Sequence, residues 1–428
     1  MARTQGIISL VTGIALSLGV LTAPSAQAND PIVPDGPTLA AQLATVSASK
    51  LTTAYAVLDR DGNVLAANDV PSVPASAMKV LTAMAAIDVL GADKTFTTSV
   101  LSKREKVTLV AGGDPYLTGS KSSSYAKPAN LDALVKATVA KLKSQGIKKI
   151  KLRYEANLFS GSSYSSSWSK SWSSYTPRIE SLMVNGGMTG SKAEKYPAKA
   201  TAKLFASKLK KKGIKVTSIK YANRYKGSEL VAQATSAPLG QIVRWTLKYS
   251  NNVAAEVIAR HTALAMGLPG SFAGASTAIT TWLQNKGLWA NGMKIDGGCG
   301  LSSKTKIVPS ALARTLKLML DDPKYVDVSE GLPIARVDGT LSSRFNDKEE
   351  YAGRYVVHAK TGTLAKVNAL AGYVTTAEGA RLTFAFFASH DGKRSGTATN
   401  WLDRSASLLA TCGCRPMAMY AGVNAPTP

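Results

Sequence analysis

Three short strings of this chain hold residues that could perform acyl transfer on a serine: Ser76-Ala77-Met78-Lys79, Ser250-Asn251-Asn252 and Lys360-Thr361-Gly362. A neutral serine hydroxyl is a weak nucleophile, so it needs a base beside it and donors for the developing oxyanion. A lysine whose pKa is lowered can act as that base in place of histidine. The strings therefore predict Ser76 as nucleophile and Lys79 as general base.

The S-x-x-K tetrad is a weak signal by itself, because serine and lysine are abundant in this chain. Further matches begin at Ser124, Ser167, Ser207 and Ser303, among others. The context of Ser76 distinguishes it, since apolar residues recur at helical spacing from Met78 to Leu90 and Gly91 then ends the run. Side chains three apart in a helix's first turn share one face, so Ser76 and Lys79 are expected to meet.

Strand-like segments lie at both ends of the chain, around these strings. Two apolar strands between residues 53 and 68 flank Asp61-Gly62-Asn63, a sequence typical of a hairpin turn. Three more strands and a final helix are predicted at residues 355–360, 369–375, 382–388 and 401–410. Helical sequence lies between the two groups. The pattern favours an α+β domain whose sheet combines N-terminal and C-terminal segments.

The composition changes in the middle of the chain. Residues 95–235 are rich in lysine and serine, and residues 192–226 hold 12 basic residues against a single acid, Glu194. This shift predicts one or two inserted domains at 95–235, within a catalytic domain formed by 29–94 and 236–428.

Two tryptophans, Trp168 and Trp172, lie one helical turn apart in the low-complexity segment 160–174. They fit either a role in stacking against sugars or an ordered surface loop with packed tryptophans.

The first 28 residues predict a secretory signal peptide. Arg3 precedes an apolar stretch at residues 7–21, and Ala26-Gln27-Ala28 resembles a cleavage site. We therefore expect a mature protein that begins near Asn29 and acts outside the cytoplasm, in association with the cell wall.

The formal net charge is +25, which favours contact with anionic surfaces. Export argues against nucleic acid as a partner and leaves anionic cell-wall polymers or the membrane surface. The alternative is that the lysines form a solvated face that keeps the protein soluble.

The cysteines and histidines predict neither a disulfide scaffold nor a metal site. Export permits one disulfide bond, and the spacing favours Cys299 with either Cys412 or Cys414. The three histidines show no metal-binding spacing. They are His261, His358 and His390.

In their order and context the three strings resemble those of penicillin-binding proteins and serine β-lactamases. The long stretch between Ser76 and Ser250 exceeds the helical connection of a compact β-lactamase. Further strings are Gly112-Gly113-Asp114-Pro115-Tyr116-Leu117, Asp338-Gly339-Thr340-Leu341 before Arg344, and Ala369-Leu370-Ala371-Gly372-Tyr373. Together they look like the D-alanyl-D-alanine carboxypeptidase/endopeptidase family, the class C low-molecular-mass penicillin-binding proteins or peptidase S13 group. The resemblance implies an antiparallel sheet with helices on both faces and a large α/β insert.

The resemblance also implies roles for the second string. Ser250 lies between Lys79 and Lys360 and relays the proton to the leaving amine, and Asn252 offers its amide to the substrate's peptide group. Asn251 stands where relatives often have aspartate, a mild change because that side chain points away from the reacting centre. Two causes could lower the pKa of Lys79: the charge of a second cation, Lys360, and burial of the Lys79 amine.

The third string suits binding of an extended peptide along an edge strand. Lys360, Thr361 and Thr363 are expected to hold its terminal carboxylate, and Gly362 to leave room for the approaching substrate. Following the family arrangement, the backbone N–H groups of Ser76 and Thr363 form the oxyanion hole. The resemblance implies no metal and no cofactor.

The implied activity is removal of the terminal D-alanine from peptidoglycan stem peptides through a Ser76 acyl-enzyme, with cross-link cleavage as a related possibility. β-Lactams would acylate the same serine and leave slowly. One departure concerns substrate selection: Ser303 stands where relatives have an arginine after Asp296-Gly297-Gly298-Cys299-Gly300-Leu301-Ser302. Lys304 is a candidate replacement, and Asp114 is a candidate acidic determinant.

Three alternatives stay open at this point. A class A β-lactamase needs a glutamate that activates the deacylating water, and no glutamate lies between Glu256 and Glu330. An esterase would gain little from the carboxylate-binding strand at Lys360. A non-catalytic basic protein that binds the cell wall or β-lactams would be retained even with Ser76→Ala.

Overall fold

The computed structural model describes residues 36–46, 48–120, 128–174 and 176–411. The predicted signal peptide, Cys412 and Cys414 lie outside these residues. The α-helices are α1 Gly36–Thr45, α2 Lys79–Leu90, α3 Leu131–Ser144, α4 Pro197–Lys211, α5 Leu239–Lys248, α6 Asn252–Ala265, α7 Phe272–Asn285, α8 Pro309–Asp321, α9 Val326–Gly331 and α10 Ser395–Ala410.

The strands are β1 Thr52–Leu58, β2 Val64–Asn68, β3 Thr97–Lys103, β4 Lys106–Val110, β5 Lys149–Glu155, β6 Met188–Thr189, β7 Lys192–Ala193, β8 Lys215–Tyr221, β9 Glu229–Thr235, β10 Val357–Leu364, β11 Val367–Thr375 and β12 Arg381–Ser389. Within the described residues, no helix is both long and apolar enough to cross a membrane.

The first sheet joins the two ends of the described chain. Its strand order is β10-β11-β12-β1-β2, and every neighbouring pair is antiparallel. The N-terminal hairpin attaches through β1 and β12, where Ala56 pairs with Ala385. This arrangement places β10, which carries Lys360 to Thr363, at an edge of the sheet.

Helices cover both faces of this sheet. Successive side chains of a strand point to opposite faces, so one strand contributes to two cores. Ala385 and Phe387 of β12 belong to the core formed with α2 and α8. Phe384 and Phe386 belong to the opposite core, formed with α1 and α10. The predicted α+β class, with an antiparallel sheet between helices, is confirmed.

Helix α2 lies inside the molecule rather than on its surface. Nine of its 12 residues are buried, including Leu81, Met84 and Ile87. It ends at Gly91, whose φ of 80° is in the region that glycine favours. A 3₁₀ turn, Ala75–Met78, precedes the helix, so Ser76 lies one turn earlier than the regular α-helical segment.

The C-terminal strands differ from their predicted bounds. The predicted start of a strand at Tyr355 is wrong, because Tyr355 has a φ of 68° and β10 begins only at Val357. The strand then continues past Lys360 to Leu364. The final helix also begins earlier than predicted, at Ser395.

A second five-stranded sheet is built from residues within the predicted insert. Its order is β8-β5-β4-β3-β9. The β4–β5 and β5–β8 pairs are parallel, and α3 and α4 form the crossovers between them. Apolar side chains of both helices, such as Leu134 and Phe205, share a core with Leu152 of β5.

Both sheets belong to one compact unit of the described chain. The division into a catalytic domain at 29–94 and 236–428 and an insert at 95–235 stays a prediction.

The Gly112–Leu117 string links the second sheet to the helices of the first. The N–H of Gly113 donates to the carbonyl of Ser181, and Nε2 of His261 donates to the carbonyl of Gly113 at 2.9 Å. A Cβ on Gly112 would lie 2.1 Å from the carbonyl oxygen of Thr97, so only glycine fits there. Asp114 is buried in this link, and its Oδ1 accepts from the N–H of Tyr116.

Burial raises the pKa of Asp114 to about 7, although the hydrogen bond from Tyr116 acts in the opposite direction. The folded protein therefore keeps a proton on Asp114 up to about pH 7, whereas the unfolded chain releases it near its ordinary pKa. Stability that this group contributes is present at low pH and is lost as pH rises from about 4 to 7.

We predict that Asp114→Asn, which stays neutral, is more stable than the parent chain at pH 8 and gains little at pH 4. The gain at pH 8 should be on the order of 4 kcal/mol. Denaturant unfolding at both pH values measures it. Asp93→Asn, at an exposed position, is the matched control. Parallel pH profiles for Asp114→Asn and the parent would contradict the prediction.

Candidate active site

Ser76 and Lys79 meet as predicted, at the junction of the 3₁₀ turn and α2. The Lys79 Nζ lies 2.8 Å from the Ser76 Oγ. It also donates to Oδ1 of Asn252 at 2.7 Å and to the carbonyl of Cys299 at 2.6 Å. These three oxygens match the three N–H groups of an ammonium ion. When the amine is neutral, its lone pair can instead accept the proton of the Ser76 hydroxyl.

Burial is the main reason that the pKa of Lys79 is lowered, to about 8. The side chain is 1% exposed, so the charged form loses most of its hydration. Cys299 and Glu256 raise the pKa and keep the fall modest. On the order of one lysine in ten is neutral at pH 7 with such a pKa. Lys79 is therefore suited to take a proton near neutral pH.

Helix α6 carries three polar side chains at a spacing of four residues, Asn252, Glu256 and Arg260, and the first two lie at the Lys79 end of the helix. The first holds Lys79, as described. The second is fully buried, and its Oε1 accepts from the N–H groups of Gly298 and Cys299, both at 2.9 Å. Glu256 thereby holds the loop whose Cys299 carbonyl accepts from Lys79.

The sequence interpretation missed Glu256 as part of this site. The signal was available, since residues four apart on a helix share a face and Asn252 was already assigned. Burial raises the pKa of Glu256, against the lowering effect of its bonds to Cys299 and the charge of Arg260.

Ser250 lies in the turn between α5 and α6, with a φ of 56° that non-glycine residues rarely adopt. Asn251 caps α6, because its side chain accepts from the N–H of Ala254. The Asn251 side chain is therefore engaged within its own helix, which agrees with the mild effect expected of this substitution. Ser250 and Asn252 both line the cavity that contains Ser76.

Edge strand β10 presents alternate side chains in two directions. Thr361 and Thr363 line the cavity beside Ser76. Lys360 and Gly362 lie on the other side, toward the 3₁₀ turn. A Cβ on Gly362 would meet the carbonyl oxygen of Pro74 at 2.4 Å. Gly362 is thus required for packing of β10 against that turn, and its expected role in leaving room for substrate stays a prediction.

Lys360 is fully buried, and its Nζ donates to the carbonyl of Thr361 at 2.9 Å. Burial lowers its pKa well below the ordinary value, and the charges of Lys79 and Arg344 lower it further. Two ammonium charges in one buried site repel each other, so the pair of lysines favours sharing a single charge. Lys360 is not among the residues that line the cavity.

Arg344 is the cation that does line the cavity, and its role was missed in the sequence. Its Nε donates to Oδ2 of Asp403 at 3.0 Å, and its Nη2 donates to Oδ1 of the same carboxylate. Asp403 belongs to α10 and is 2% exposed. This two-point contact fixes the guanidinium beside Thr340, whose Oγ1 lies 2.7 Å from that of Thr361.

The cavity has a volume of about 670 Å³ and is open to one side. Its lining residues are Ser76, Trp172, Ser250, Asn252, Leu301, Thr340, Arg344, Thr361, Thr363, Leu364, Ala365 and Thr399. The Ser76 hydroxyl and further hydroxyl and guanidinium donors thus line one space, and the buried Lys79 amine contacts Ser76. This arrangement can acylate Ser76 with a substrate that ends in a carboxylate.

Other residues singled out in the sequence lie elsewhere. Asp114 is buried in the link between the sheets and does not line the cavity. Ser303 and Lys304 are exposed and do not line it either. Trp168 packs against Phe272 with ring centroids 5.0 Å apart.

Cys299 is a buried free cysteine in the described chain. The predicted disulfide partners lie outside the described residues. The described part of the chain also brings together no group of three or more metal-ligating side chains.

Comparison with known proteins decides the family. The sequence matches the peptidase S13 model, described as the D-Ala-D-Ala carboxypeptidase 3 (S13) family, over residues 26–199 and 191–408. The chain belongs to this family. The predicted family and enzyme class are therefore confirmed, and the chain is a serine-type peptidase.

Curated relatives agree with the S13 assignment. Carboxypeptidase DacB of Mycolicibacterium smegmatis is 33% identical over 364 residues, which is 81% of this chain and 76% of the relative. D-alanyl-D-alanine carboxypeptidase of Actinomadura sp. is 29% identical over 207 residues, covering 47% of this chain and 36% of that protein.

The fold is also similar to a solved structure, penicillin binding protein 4 (dacB) from Haemophilus influenzae. The TM-score is 0.72 at 22% identity, with 85% of this chain and 97% of that chain covered. At this identity the likeness concerns the fold.

We predict that acylation of Ser76 becomes faster as pH rises, because only the neutral Lys79 amine can accept the hydroxyl proton. The rate should increase about tenfold per pH unit below about pH 8 and level off above it. Single-turnover acylation by a chromogenic thioester between pH 6 and 9.5 measures this profile. Circular dichroism at each pH verifies that the protein stays folded. A rate independent of pH below 8 would exclude Lys79 as the base.

Proposed function

We propose that this S13 family member removes the terminal D-alanine from peptidoglycan stem peptides through an acyl-enzyme on Ser76. The observation that carries the proposal is the contact of the buried Lys79 amine with Ser76 Oγ at 2.8 Å, beside a cavity lined by Thr361, Thr363 and Arg344. The proposed base contacts the nucleophile, and the proposed donors for a substrate carboxylate line the same cavity as that nucleophile.

In the first step the neutral Lys79 amine takes the Ser76 proton while Oγ attacks the carbonyl of the penultimate D-alanine. The backbone N–H groups of Ser76 and Thr363 stabilise the oxyanion, a role in which one donor typically contributes 10²–10³ in rate. The peptide bond then breaks, and the proton passes through Ser250 to the leaving amine. Asn252 both orients Lys79 and offers its amide to the substrate. Water hydrolyses the ester and regenerates Ser76.

The terminal carboxylate of the substrate is proposed to bind at β10. Thr361 and Thr363 supply hydroxyl donors, and Arg344 supplies the accessible positive charge. Lys360 lies below the cavity surface. It supports carboxylate binding through its positive charge when protonated and through its hydrogen bond to the Thr361 carbonyl. A peptide laid along the edge strand β10 can also form main-chain hydrogen bonds with it.

β-Lactams are proposed to acylate the same serine and to leave slowly. Efficient hydrolysis of β-lactams is not expected, because the nearest glutamate in the sequence after Asn252 is Glu256, and its carboxylate is buried and bound to two backbone N–H groups. It cannot position a water molecule in the cavity. Cleavage of peptide cross-links is a related activity that the open side of the cavity would admit.

The proposed site of action is outside the cytoplasm, at the cell wall. Peptidoglycan lies there, and the N-terminal sequence predicts export. The strongly basic surface of α4 supports a second contact, with anionic polymers of the wall or with the membrane surface. Its exposed lysines include Lys203, Lys210 and Lys211.

Incubation with labelled penicillin and with a peptide ending in D-Ala-D-Ala tests the activity. We expect a stoichiometric adduct on Ser76, located by mass spectrometry, and release of free D-alanine. Ser76→Ala should abolish the adduct and lower peptide hydrolysis by at least about 10⁴-fold. Ser207→Ala, at another S-x-x-K match on the exposed side of α4, is the matched control.

Two results would contradict the proposal. One is neither an adduct nor D-alanine release from the folded parent chain. The other is hydrolysis that persists in Ser76→Ala, which would place the reaction elsewhere.

Replacing Lys203, Lys210 and Lys211 together by glutamine tests the basic surface. The triple variant should elute from immobilised poly(glycerol phosphate) at lower salt than the parent, because fewer charges contact the polymer. D-Alanine release from a short peptide should not change. The control replaces three exposed lysines elsewhere, Lys50, Lys94 and Lys393. Equal retention of both triple variants would show that α4 is not the contact surface.

A further inference from the structure

A second cavity lies outside the site of Ser76, between the second sheet and α6. Its volume is about 370 Å³, within the range of pockets that hold small ligands. Polar and aromatic side chains line it together, among them Tyr154, Glu180, Ser181, Tyr221 and Arg260. The mechanism proposed for Ser76 does not use any of these residues.

Two polar groups in this cavity are buried without a partner in the described structure. Ser181 is 3% exposed and its Oγ has no hydrogen bond. Arg260 is 1% exposed, and its Nε has none, although its two Nη atoms donate to the carbonyls of Gly270 and Ser162. Buried polar groups are nearly always paired in folded proteins. A ligand with hydroxyl or carbonyl oxygens would supply the missing partners.

A carboxylate and exposed aromatic rings complete the lining. Oε2 of Glu180 accepts from the N–H of Ala198 at 2.7 Å, which fixes the carboxylate at the rim. The rings of Tyr196 and Tyr221, 55% and 60% exposed, offer flat apolar faces with polar edges. A pyranose ring has a matching character, with C–H groups on its faces and hydroxyl groups around its edge. The mixture of opposite charges, by contrast, does not suit a hydrocarbon chain.

The position of the cavity relates it to the catalytic site. Arg260 follows Asn252 by eight residues on α6, a rise of about 12 Å along the helix. An extended peptide of four residues spans about 13 Å. The cavity therefore lies at a distance that a stem peptide could bridge between Ser76 and the sugar to which it is attached. The same loop also contributes to both places, with Ser163 in this cavity and Trp172 in the catalytic one.

We propose that this cavity binds an N-acetylated amino sugar of the glycan strand that carries the stem peptide. Ser181 and Arg260 donate to the acetamido carbonyl or a ring hydroxyl, Glu180 accepts from a sugar N–H or O–H, and Tyr221 packs against the ring. The inference deepens the proposed function and rests on it for the nature of the substrate.

Binding of the free disaccharide N-acetylglucosaminyl-N-acetylmuramic acid to the full chain tests the cavity without any catalysis. Titration calorimetry should detect binding to the parent. Ser181→Ala should weaken it about fivefold, the effect of losing one hydrogen bond. The fold should tolerate this change, because the hydroxyl has no partner to lose. Ser405→Ala removes another buried, unpartnered serine hydroxyl, on α10, and should bind like the parent.

Tyr221→Ser provides a second variant at an exposed position, so folding does not limit the test. It should weaken disaccharide binding by about tenfold, since it removes the stacking ring. Tyr355→Ser changes another exposed tyrosine, far along the chain, and should not weaken disaccharide binding. Absence of binding to the parent, or binding that survives both Ser181→Ala and Tyr221→Ser, would overturn the inference.

Comparing the hydrolysis of two substrates distinguishes a failure of the sugar site from a failure of the proposed peptidase activity. A pentapeptide ending in D-Ala-D-Ala and the same peptide attached to the disaccharide are compared. We expect the disaccharide-linked peptide to have the lower KM. In Ser181→Ala this difference in KM should disappear, while kcat stays unchanged. Equal KM values with normal hydrolysis of the bare peptide would overturn the sugar site and leave the peptidase intact. No hydrolysis of either substrate would overturn the peptidase, and disaccharide binding would still decide the cavity.

Discussion

The site depends on the burial of one amine, that of Lys79, away from water. Lys79 is 1% exposed, and its Nζ is held by three oxygens from three separate parts of the chain: Ser76, Asn252 and Cys299. A buried ammonium ion is costly unless its N–H groups are paired. The 3₁₀ turn, the start of α6 and the Cys299 loop must therefore all be in place, and each has its own support.

Those supports are found one layer further from the nucleophile. Glu256 holds the Cys299 loop through two backbone N–H groups. Gly362 lets β10 approach the 3₁₀ turn, where any Cβ would meet the Pro74 carbonyl. Asp403 fixes Arg344 in the wall of the cavity. The geometry around Ser76 thus depends on residues that do not themselves line the cavity.

The sequence predicted the elements with a strong local pattern and missed what depends on long-range packing. The helix after Ser76 and the hairpin before it follow from apolar spacing and turn residues, and both are present. The meeting of Lys79 with Ser76 was expected from their spacing of three residues, whereas the contact of Lys79 with Asn252 was not predicted. The burial of Lys360 and the pairing of Arg344 with Asp403 were not predicted either, because they depend on which side of β10 faces the 3₁₀ turn and where α10 packs. No periodicity in a single segment carries that information.

Because β1 pairs with β12, the first sheet needs strands from both ends of the described chain. Ala56 lies beside Ala385, and β10, the strand next to the nucleophile, connects to β1 only through β11 and β12. Contacts of such sequence separation form late, because a long loop must close before they contribute stability. A partly synthesised chain that ends before residue 389 cannot assemble the sheet around Ser76. The hydrolytic centre would therefore come into being only at the end of folding, after nearly all of the polypeptide has been synthesised.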